Sequence, residues 1–115
     1  MIMEHIQGEA KTTPFVFMGD FNAPEDSETL KIIKGNSEAG QKLGIQMLDS
    51  FRVLYPDREK VGTYNGFTGQ SDGPKIDYIM VKPSMKVIEA SILQTNREGR
   101  YPSDHFPVTA QVGLP

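Results

Sequence analysis

The stretch Lys75-Ile-Asp-Tyr-Ile-Met-Val81 decides the fold, because it is the clearest strand in the sequence. Side chains alternate between the two faces of a strand, so Asp77, Ile79 and Val81 share one face. Both faces are largely apolar, which predicts that the strand is covered on both sides. A carboxylate in such a strand costs free energy unless it is paired and hydrogen-bonded. Asp77 therefore forms either a structural ion pair with a Lys or Arg or a catalytic pair with a histidine.

Two further strands are predicted downstream. A turn at Lys82-Pro-Ser84 leads into residues 87–93, whose side chains alternate as they do in a strand. Residues 95–103 form a polar loop, and residues 106–112 form the last strand. Pro107 has no backbone N–H group, which places it at an edge or in the first turn of that strand.

A strand and a helix are predicted upstream. The apolar run Phe15-Val-Phe-Met18 is typical of a buried strand, and Gly19-Asp-Phe-Asn22 ends it. Residues that favour the start of a helix follow at positions 24–28. Gly35-Asn36 stops that helix at about Lys34.

The remaining segments are less sharply defined. Residues 2–6 have helical spacing but no capping residue before them, so the chain is expected to begin inside a helix. Residues 36–47 form a loop or a short second helix, and residues 48–55 fit a strand or a helix. Residues 62–65 are expected to form a strand, and residues 68–74 a loop. This order of elements predicts an α/β layered fold, with residues 1–115 in a single domain.

Composition excludes several kinds of site. The chain has 115 residues, no cysteine and a formal charge of −3, so it has no disulfide, zinc–thiolate site or cysteine nucleophile. Residues 1–50 carry 4 basic and 8 acidic side chains, which disfavours a nucleic-acid-binding module with a basic stripe. No apolar run is long enough to span a membrane. Residues 1–10 do not resemble a signal peptide, and the compartment stays open.

The first candidate site is Gly19-Asp20-Phe21-Asn22, at the carboxyl end of a predicted strand. Functional groups gather at such strand ends in α/β folds. Asp20 can accept a proton from an attacking water or bind a metal ion, and the Asn22 amide can donate to a phosphoryl oxygen. The alternative is an Asx-turn that leads into the next helix.

The second candidate site is Ser103-Asp104-His105-Phe106, just before the last strand. Asp104 can bind a hard cation, and His105 can polarise a phosphate or transfer a proton. Adjacent residues of a regular strand point to opposite faces, so both can serve one site only from the loop ahead of the strand. The alternative for His105 is a partly exposed histidine without a role, which is the interpretation given to His5.

These segments, taken together, resemble the endonuclease/exonuclease/phosphatase superfamily, which includes deoxyribonuclease I. The second half of that family carries a Gly-Asp-x-Asn motif, a strand with an Ile-Asp-Tyr core and a terminal Ser-Asp-His. The same order occurs at Gly19–Asn22, Ile76–Ile79 and Ser103–His105, and Gly62–Phe67 is similar to a bacterial branch of the family. The resemblance covers nearly the whole chain. It implies the C-terminal half of a deoxyribonuclease I-like α/β sandwich, a mixed sheet with flanking helices, whose N-terminal half is missing.

The resemblance also implies catalytic roles for four residues. Asp20 would orient or deprotonate the nucleophilic water, and Asn22 would bind the phosphate. Asp77 would hold His105 in place, and His105 would contact the scissile phosphate.

Binding roles are implied in the same way. Asp104 and Asp20 would bind Mg²⁺ or Mn²⁺, while Thr63, Tyr64 and Phe67 would lie near the substrate entrance. Members of the family are about twice as long, and their first half supplies the principal metal-binding Glu. We therefore expect this chain to need the missing N-terminal half, or a second copy of itself, to cover its sheet.

The function implied by the resemblance is divalent-metal-dependent phosphoester hydrolysis by in-line attack of water. The substrate would be a nucleic acid, a phospholipid headgroup or a sugar phosphate. The alternative is a catalytically inactive fragment, or a structural half that self-associates or needs a complementary chain.

Overall fold

The computed structural model describes residues 16–35, 38–44 and 46–114; the helix expected at residues 2–6 lies outside them. Five strands and three helices occur in this part of the chain. In order, they are β1 (Val16–Asp20), α1 (Glu28–Lys34), α2 (Glu38–Leu43), β2 (Leu48–Asp49), α3 (Ser50–Leu54), β3 (Asp77–Val81), β4 (Lys86–Ile92) and β5 (Val108–Gly113). No helix among the described residues is both long and apolar enough to cross a membrane.

The first sheet contains three strands in the order β1-β3-β2, and β3 pairs with both neighbours antiparallel. The register places Met18 opposite Ile79 and Asp20 opposite Asp77. Residues that face each other across an antiparallel pair have Cβ atoms only about 4.5–5.5 Å apart. The pairing of β1 with β3 therefore brings two carboxylates together at one end of the sheet.

The second sheet is an antiparallel pair of β4 and β5, with an irregularity in the register between Val87 and Glu89. The strands predicted at residues 87–93 and 106–112 are thus confirmed, within two residues at each end. Pro107 lies directly before β5, which leaves residues 104 and 105 in the loop ahead of the strand.

Helix α1 begins and ends where its sequence provides caps. Ser27 accepts a hydrogen bond from the backbone N–H of Leu30 at 3.3 Å. Gly35 has the left-handed φ of 75° that a helix end requires, and its N–H donates to the carbonyl of Ile32. The predicted helix is therefore confirmed, and its buried Leu30 and Ile33 pack beneath the first sheet.

Two core clusters lie on opposite sides of the first sheet. One contains Tyr78 and Met80 of β3 packed against α1. The other joins Val81 to α3, β4 and β5 through Phe51, Met85 and Ala90. Burying a large aliphatic or aromatic side chain contributes roughly 1.5–3 kcal/mol, so these clusters hold β3 in place.

Coverage of β3 is incomplete, however. Val81 is fully buried, but Ile79 and Asp77 on the same face are only half-buried. Met18, opposite Ile79, is 62% exposed. The prediction that both faces of the strand are covered is therefore correct at Val81 and wrong towards Asp77, where the sheet faces a groove.

The ambiguous segments now have definite structures. Residues 48–55 contain both alternatives in turn, because Asp49 ends β2 and caps α3. Residues 36–47 include the short helix α2.

The strand expected at residues 62–65 is wrong: the only pairing there is an isolated bridge from Tyr64 to His105. The N–H groups of Thr63 and Tyr64 both donate to the carbonyl of Pro74, which has no N–H to return, so no ladder extends.

Candidate active site

Asp77 and His105 form the central pair of the site. Their Oδ2 and Nδ1 atoms lie 2.7 Å apart. Of the two partners that the sequence allowed for Asp77, the structure has the histidine. Lys75, two residues earlier, pairs instead with Asp49 at 2.8 Å in the interior. An ionised carboxylate only accepts hydrogen bonds, so Nδ1 carries the proton and Nε2 is directed away from Asp77.

Short backbone contacts fix the loop that carries His105. The N–H of Phe106 donates to the carbonyl of Thr63, and the N–H of Asn65 donates to the carbonyl of Asp104 at 2.7 Å. The ring of Tyr64 meets the imidazole edge-on, with 5.4 Å between the centroids. Residues 63–66 therefore act as a template that orients His105 before any ligand binds.

Thr63 has a different place from the one expected. Its side chain is completely buried, so it cannot contact a substrate at the entrance. Its Oγ1 accepts hydrogen bonds from the N–H groups of Ile76 at 2.9 Å and Asp77 at 3.1 Å. Thr63 thus satisfies the backbone at the start of β3 and links the template to the strand that carries Asp77.

Asp20 lies on the other side of His105, at the end of β1. Its Oδ2 is 3.9 Å from Nε2, while its Oδ1 accepts a hydrogen bond from the N–H of Asn22 at 2.8 Å. That second bond is the Asx-turn expected as the alternative for this motif. It gives Asn22 a left-handed φ of 53° and leaves its side chain exposed beside the carboxylate. The turn and a functional role are therefore compatible.

Asp104 completes the group around Nε2. Its Oδ1 also lies 3.9 Å from that nitrogen, so Nε2 faces one carboxylate from β1 and one from its own loop. Asp104 precedes β5, which satisfies the condition that both Asp104 and His105 lie ahead of the strand. The side chains of both Asp20 and Asp104 are open to solvent, and a ligand can reach Nε2 between them.

The donor set suits a hard divalent cation. Asp20, Asp77 and His105 each offer one ligand atom, all within 4.8 Å of one another. Nδ1 and Asp77 already bind each other, which leaves Asp20 and the nearby Asp104 as the available carboxylates. Mg²⁺ is commonly bound by one or two carboxylates together with water and substrate oxygens. Asp20, the open carboxylate of this group, fits that pattern, and Asp104 lies 3.9 Å from Nε2 but outside the group.

The surroundings of His105 favour its protonated form. The hydrogen bond to Asp77 raises the pKa of His105 above the ordinary value, and the charges of Asp77, Asp104 and Asp20 act in the same direction. Partial burial lowers the pKa of His105, and this effect is smaller than that of the hydrogen bond to Asp77. A protonated imidazole has an N–H at Nε2 as well, so it can donate to an anion that enters between the two carboxylates.

Tyr64 contacts His105, and both Tyr64 and Phe67 are accessible; their role at a substrate entrance stays a prediction. Phe67 is 62% exposed and has a left-handed φ of 67°, which is costly for a bulky side chain. Its N–H donates to Oδ1 of Asn65 at 2.7 Å, and this bond holds the strained turn. Asn65 is buried, and sequence reasoning gave it no role.

A groove of about 290 Å³ runs along the open face of the first sheet. Asp20, Asp77 and His105 lie at its polar end, and Met18 and Ile79 form its apolar floor. A larger cavity, of about 350 Å³, is lined by Glu25, Asp26, Lys60 and Asp72 among others and contains none of these three site residues. We place the candidate site in the smaller groove because the paired and charged side chains converge there.

Comparisons with known proteins show the family and the fold of the chain. A sequence profile described as the Endonuclease/Exonuclease/phosphatase family matches residues 5–105. Among curated proteins, none matches the chain. Many solved structures are similar to it.

Three of these structures are each 29% identical to the chain. A mannosyl-6-phosphatase from Bacteroides thetaiotaomicron has a TM-score of 0.68, with 98% of this chain and 43% of that one covered. An endonuclease/exonuclease/phosphatase family protein from the same organism has a TM-score of 0.69, with 96% and 40% covered. A functionally unknown conserved protein from Enterococcus faecalis V583 has a TM-score of 0.67, with 97% and 41% covered. The chain thus spans about two fifths of the length of these structures.

Proposed function

The chain belongs to the Endonuclease/Exonuclease/phosphatase family, and from that membership we propose that it carries the water-handling and phosphate-handling groups of a metal-dependent phosphoester hydrolase. One observation carries the proposal. A histidine held by a carboxylate at 2.7 Å presents its free nitrogen between two open carboxylates. This arrangement can bind a phosphate oxygen on one side and activate a water molecule on the other.

Asp20 is the group that handles the water. It lies at a strand end with one oxygen fixed by the Asn22 N–H, and the other faces the space next to Nε2 of His105. That second oxygen can accept the proton of a water molecule as the water attacks phosphorus. Positioned general bases contribute about 10²–10⁴-fold to a rate, so Asp20 has a large effect if it has this role.

His105 handles the phosphoryl oxygen. With Asp77 bound to Nδ1, a protonated imidazole directs its Nε2–H at the anion and stabilises the charge that develops as the bond to the leaving group breaks. Asn22 lies next to Asp20 with its amide exposed, so it can donate to a second phosphoryl oxygen. Both donors are fixed to backbone elements before the substrate arrives.

Asp20 and Asp104 are the residues that would hold Mg²⁺ or Mn²⁺. When bound, such an ion supplies positive charge for the phosphoryl and leaving-group oxygens. The ion would also reduce the repulsion between two neighbouring carboxylates and an anionic substrate.

A sugar phosphate is the substrate class that we favour. The mannosyl-6-phosphatase neighbour acts on a phosphorylated sugar, and it covers nearly all of this chain. The accessible rings of Tyr64 and Phe67 provide flat apolar surfaces against which a sugar ring can pack. Nucleotide and phospholipid headgroup esters are the alternative leaving groups.

We also propose that a further polypeptide covers the groove beside Met18 and Ile79. Met18 is largely exposed, and the structural neighbours are more than twice the length of this chain. The partner would be the rest of such a protein, or a second copy of the chain in a symmetric dimer. A monomer by light scattering that unfolds cooperatively would refute the dimer.

Phosphate release from mannose 6-phosphate and from nitrophenyl mono- and diesters, with Mg²⁺ or Mn²⁺ and with EDTA, tests the proposal. We expect metal-dependent turnover that falls at least about 100-fold in Asp20→Asn. Asp26→Asn, which removes an exposed carboxylate outside the site, is the matched control and should keep full activity. Full activity in Asp20→Asn would refute the assigned role. Absence of turnover under every condition would favour the alternative, a structural half without catalysis of its own.

A further inference from the structure

A tight hairpin precedes the catalytic loop. The backbones of Arg97 and Arg100 exchange two hydrogen bonds, each 2.9 Å long. Glu98 and Gly99 form the tip with left-handed φ angles of 54° and 78°, and Asn96 accepts a bond from the Gly99 N–H at 3.0 Å. This closed turn fixes two arginines on opposite arms of one short structure.

The two arginines are available to bind a ligand. Both are exposed, and within the described part of the chain neither guanidinium forms an ion pair or a side-chain hydrogen bond. Glu98, the acidic residue between them, pairs with neither. They border a cavity of about 330 Å³ whose other lining residues are Thr95, Asn96, Tyr101 and Pro102.

The hairpin is joined to the substrate entrance by Tyr101. The Tyr101 ring packs edge-on against Phe106, next to His105, with 5.8 Å between centroids. It also lies over Gly69, where any side chain would collide with it, so the hairpin contacts the loop that carries Phe67. His105 follows Arg100 by five residues, and an extended chain of that length spans at most about 18 Å.

The hairpin carries positive charge, whereas the groups around His105 are negatively charged. Asp20, Asp77 and Asp104 surround His105 with negative charge, which repels an anionic substrate until a cation binds. The two arginines, on a hairpin that Tyr101 connects to Phe106, attract the same substrate. The planar guanidinium matches the geometry of phosphate and carboxylate with paired hydrogen bonds.

We propose that Arg97 and Arg100 form a subsite for a second oxyanion of the substrate. The substrate class is then a phosphoester with another anionic group, such as a sugar bisphosphate, whose ring crosses Tyr64 and Phe67 between the two charged ends. This inference rests on the proposed phosphoesterase function, and it predicts where selectivity lies rather than how the ester is cleaved.

Calorimetric binding to the full chain carrying Asp20→Asn, with Mg²⁺ present, tests the subsite, because this variant turns over slowly and the cation offsets the negative charge around His105. The probes are glucose monophosphate, glucose bisphosphate and phosphogluconate, which carry no second oxyanion, a second phosphate and a carboxylate respectively. We expect the bisphosphate to bind at least about tenfold more tightly than the monophosphate. Preference for phosphogluconate as well would show that the subsite accepts any oxyanion.

The double variant Arg97→Gln with Arg100→Gln should lose that preference and keep its affinity for the monophosphate. Lys31→Gln with Lys86→Gln removes the same charge from exposed positions elsewhere and should retain the preference. Equal affinities with both arginines in place, no binding of the bisphosphate, or equal losses in both double variants would overturn the proposal. Phosphate release from the monophosphate with metal tests catalysis separately, so failure of one proposal is distinguishable from failure of the other.

Discussion

Replacing Lys75 with Met tests whether Lys75 and Asp49 form a charged pair in the interior, next to strand β3. The side chains of Lys75 and Asp49 are only 3% and 1% exposed, and their charged atoms lie 2.8 Å apart. The ammonium also lies 3.9 Å from the ring centroid of Tyr78. Burial lowers the pKa of Lys75, and the neighbouring Asp49 opposes that shift.

The magnitude follows from what the substitution leaves behind. Lys75→Met leaves the Asp49 carboxylate buried, and its remaining donor among the described residues is the N–H of Phe51 at 3.0 Å. Removing one partner of a buried pair costs about 3–5 kcal/mol. A domain of this size is stable by about 5–15 kcal/mol, so the variant loses a large share of its stability.

A second substitution, Asp49→Asn, makes the test specific, because it should change the free energy of unfolding in opposite directions in the two backgrounds. Asp49→Asn should destabilise the wild type, because it leaves the ammonium without its counter-charge. In the Lys75→Met background the same change should stabilise the protein by about 1–3 kcal/mol, because it removes the unpaired buried charge. The Asn side chain can still cap α3. Urea unfolding followed by circular dichroism measures all four proteins, and exposed Lys86→Met is the control for loss of one positive charge.

Two outcomes would refute this reasoning. One is a cost below about 1 kcal/mol for Lys75→Met, which is typical of an exposed pair. The other is Asp49→Asn destabilising both backgrounds equally, because additivity means that the two residues do not interact.

Three further predictions concern the site itself. The pKa of His105, followed by its imidazole signal in a His5→Gln background, should lie above 6.5 and should fall in Asp77→Asn. An unchanged pKa would contradict the pairing. The pKa of His105 is higher in the folded protein than in the unfolded one, so the pair stabilises the fold fully below the unfolded pKa and loses this effect as the pH rises through the folded pKa. Asp77→Asn should therefore remove this pH dependence from the free energy of unfolding in urea. Thr63→Val should cost about 1–3 kcal/mol by leaving two N–H groups unbonded, whereas Thr63→Ser should retain most of the stability; equal costs would show that the hydroxyl is unimportant. Asp104→Asn should weaken Mn²⁺ binding, followed by paramagnetic broadening of nearby signals, and unaltered broadening would remove Asp104 from the metal site.

Sequence patterns were sufficient for most of the fold. Apolar runs and alternation located the strands β1, β3, β4 and β5, and the caps Ser27 and Gly35 located α1. The strand predicted at residues 62–65 was wrong. Their β-forming composition is overridden by hydrogen bonds to Pro74 and by the turn that follows at Gly66 and Phe67. Contacts distant in sequence decide that segment.

The candidate residues of the site could be selected from the sequence, but their geometry could not. The ordered motifs identified Asp20, Asp77 and His105, and pairing of β1 with β3 brings the first two together. The buried role of Thr63 depends on a contact with residues 76 and 77, which no local pattern reveals. The Lys75–Asp49 pair was likewise hidden, although Asp49 before Ser50-Phe51 is a recognisable helix cap.

Hydrolysis of mannose 6-phosphate in heavy-oxygen water tests the central claim most directly. Attack of an Asp20-activated water on phosphorus predicts one heavy oxygen in each phosphate released, detected by mass spectrometry. It predicts none at O6 of the sugar, the former ester oxygen, whereas the anomeric oxygen exchanges with water in any case. The same label should nearly disappear in His105→Gln at equal protein concentration. Heavy oxygen at O6 of the sugar, or undiminished labelled phosphate from His105→Gln, would contradict the assignment of this site to phosphoester hydrolysis.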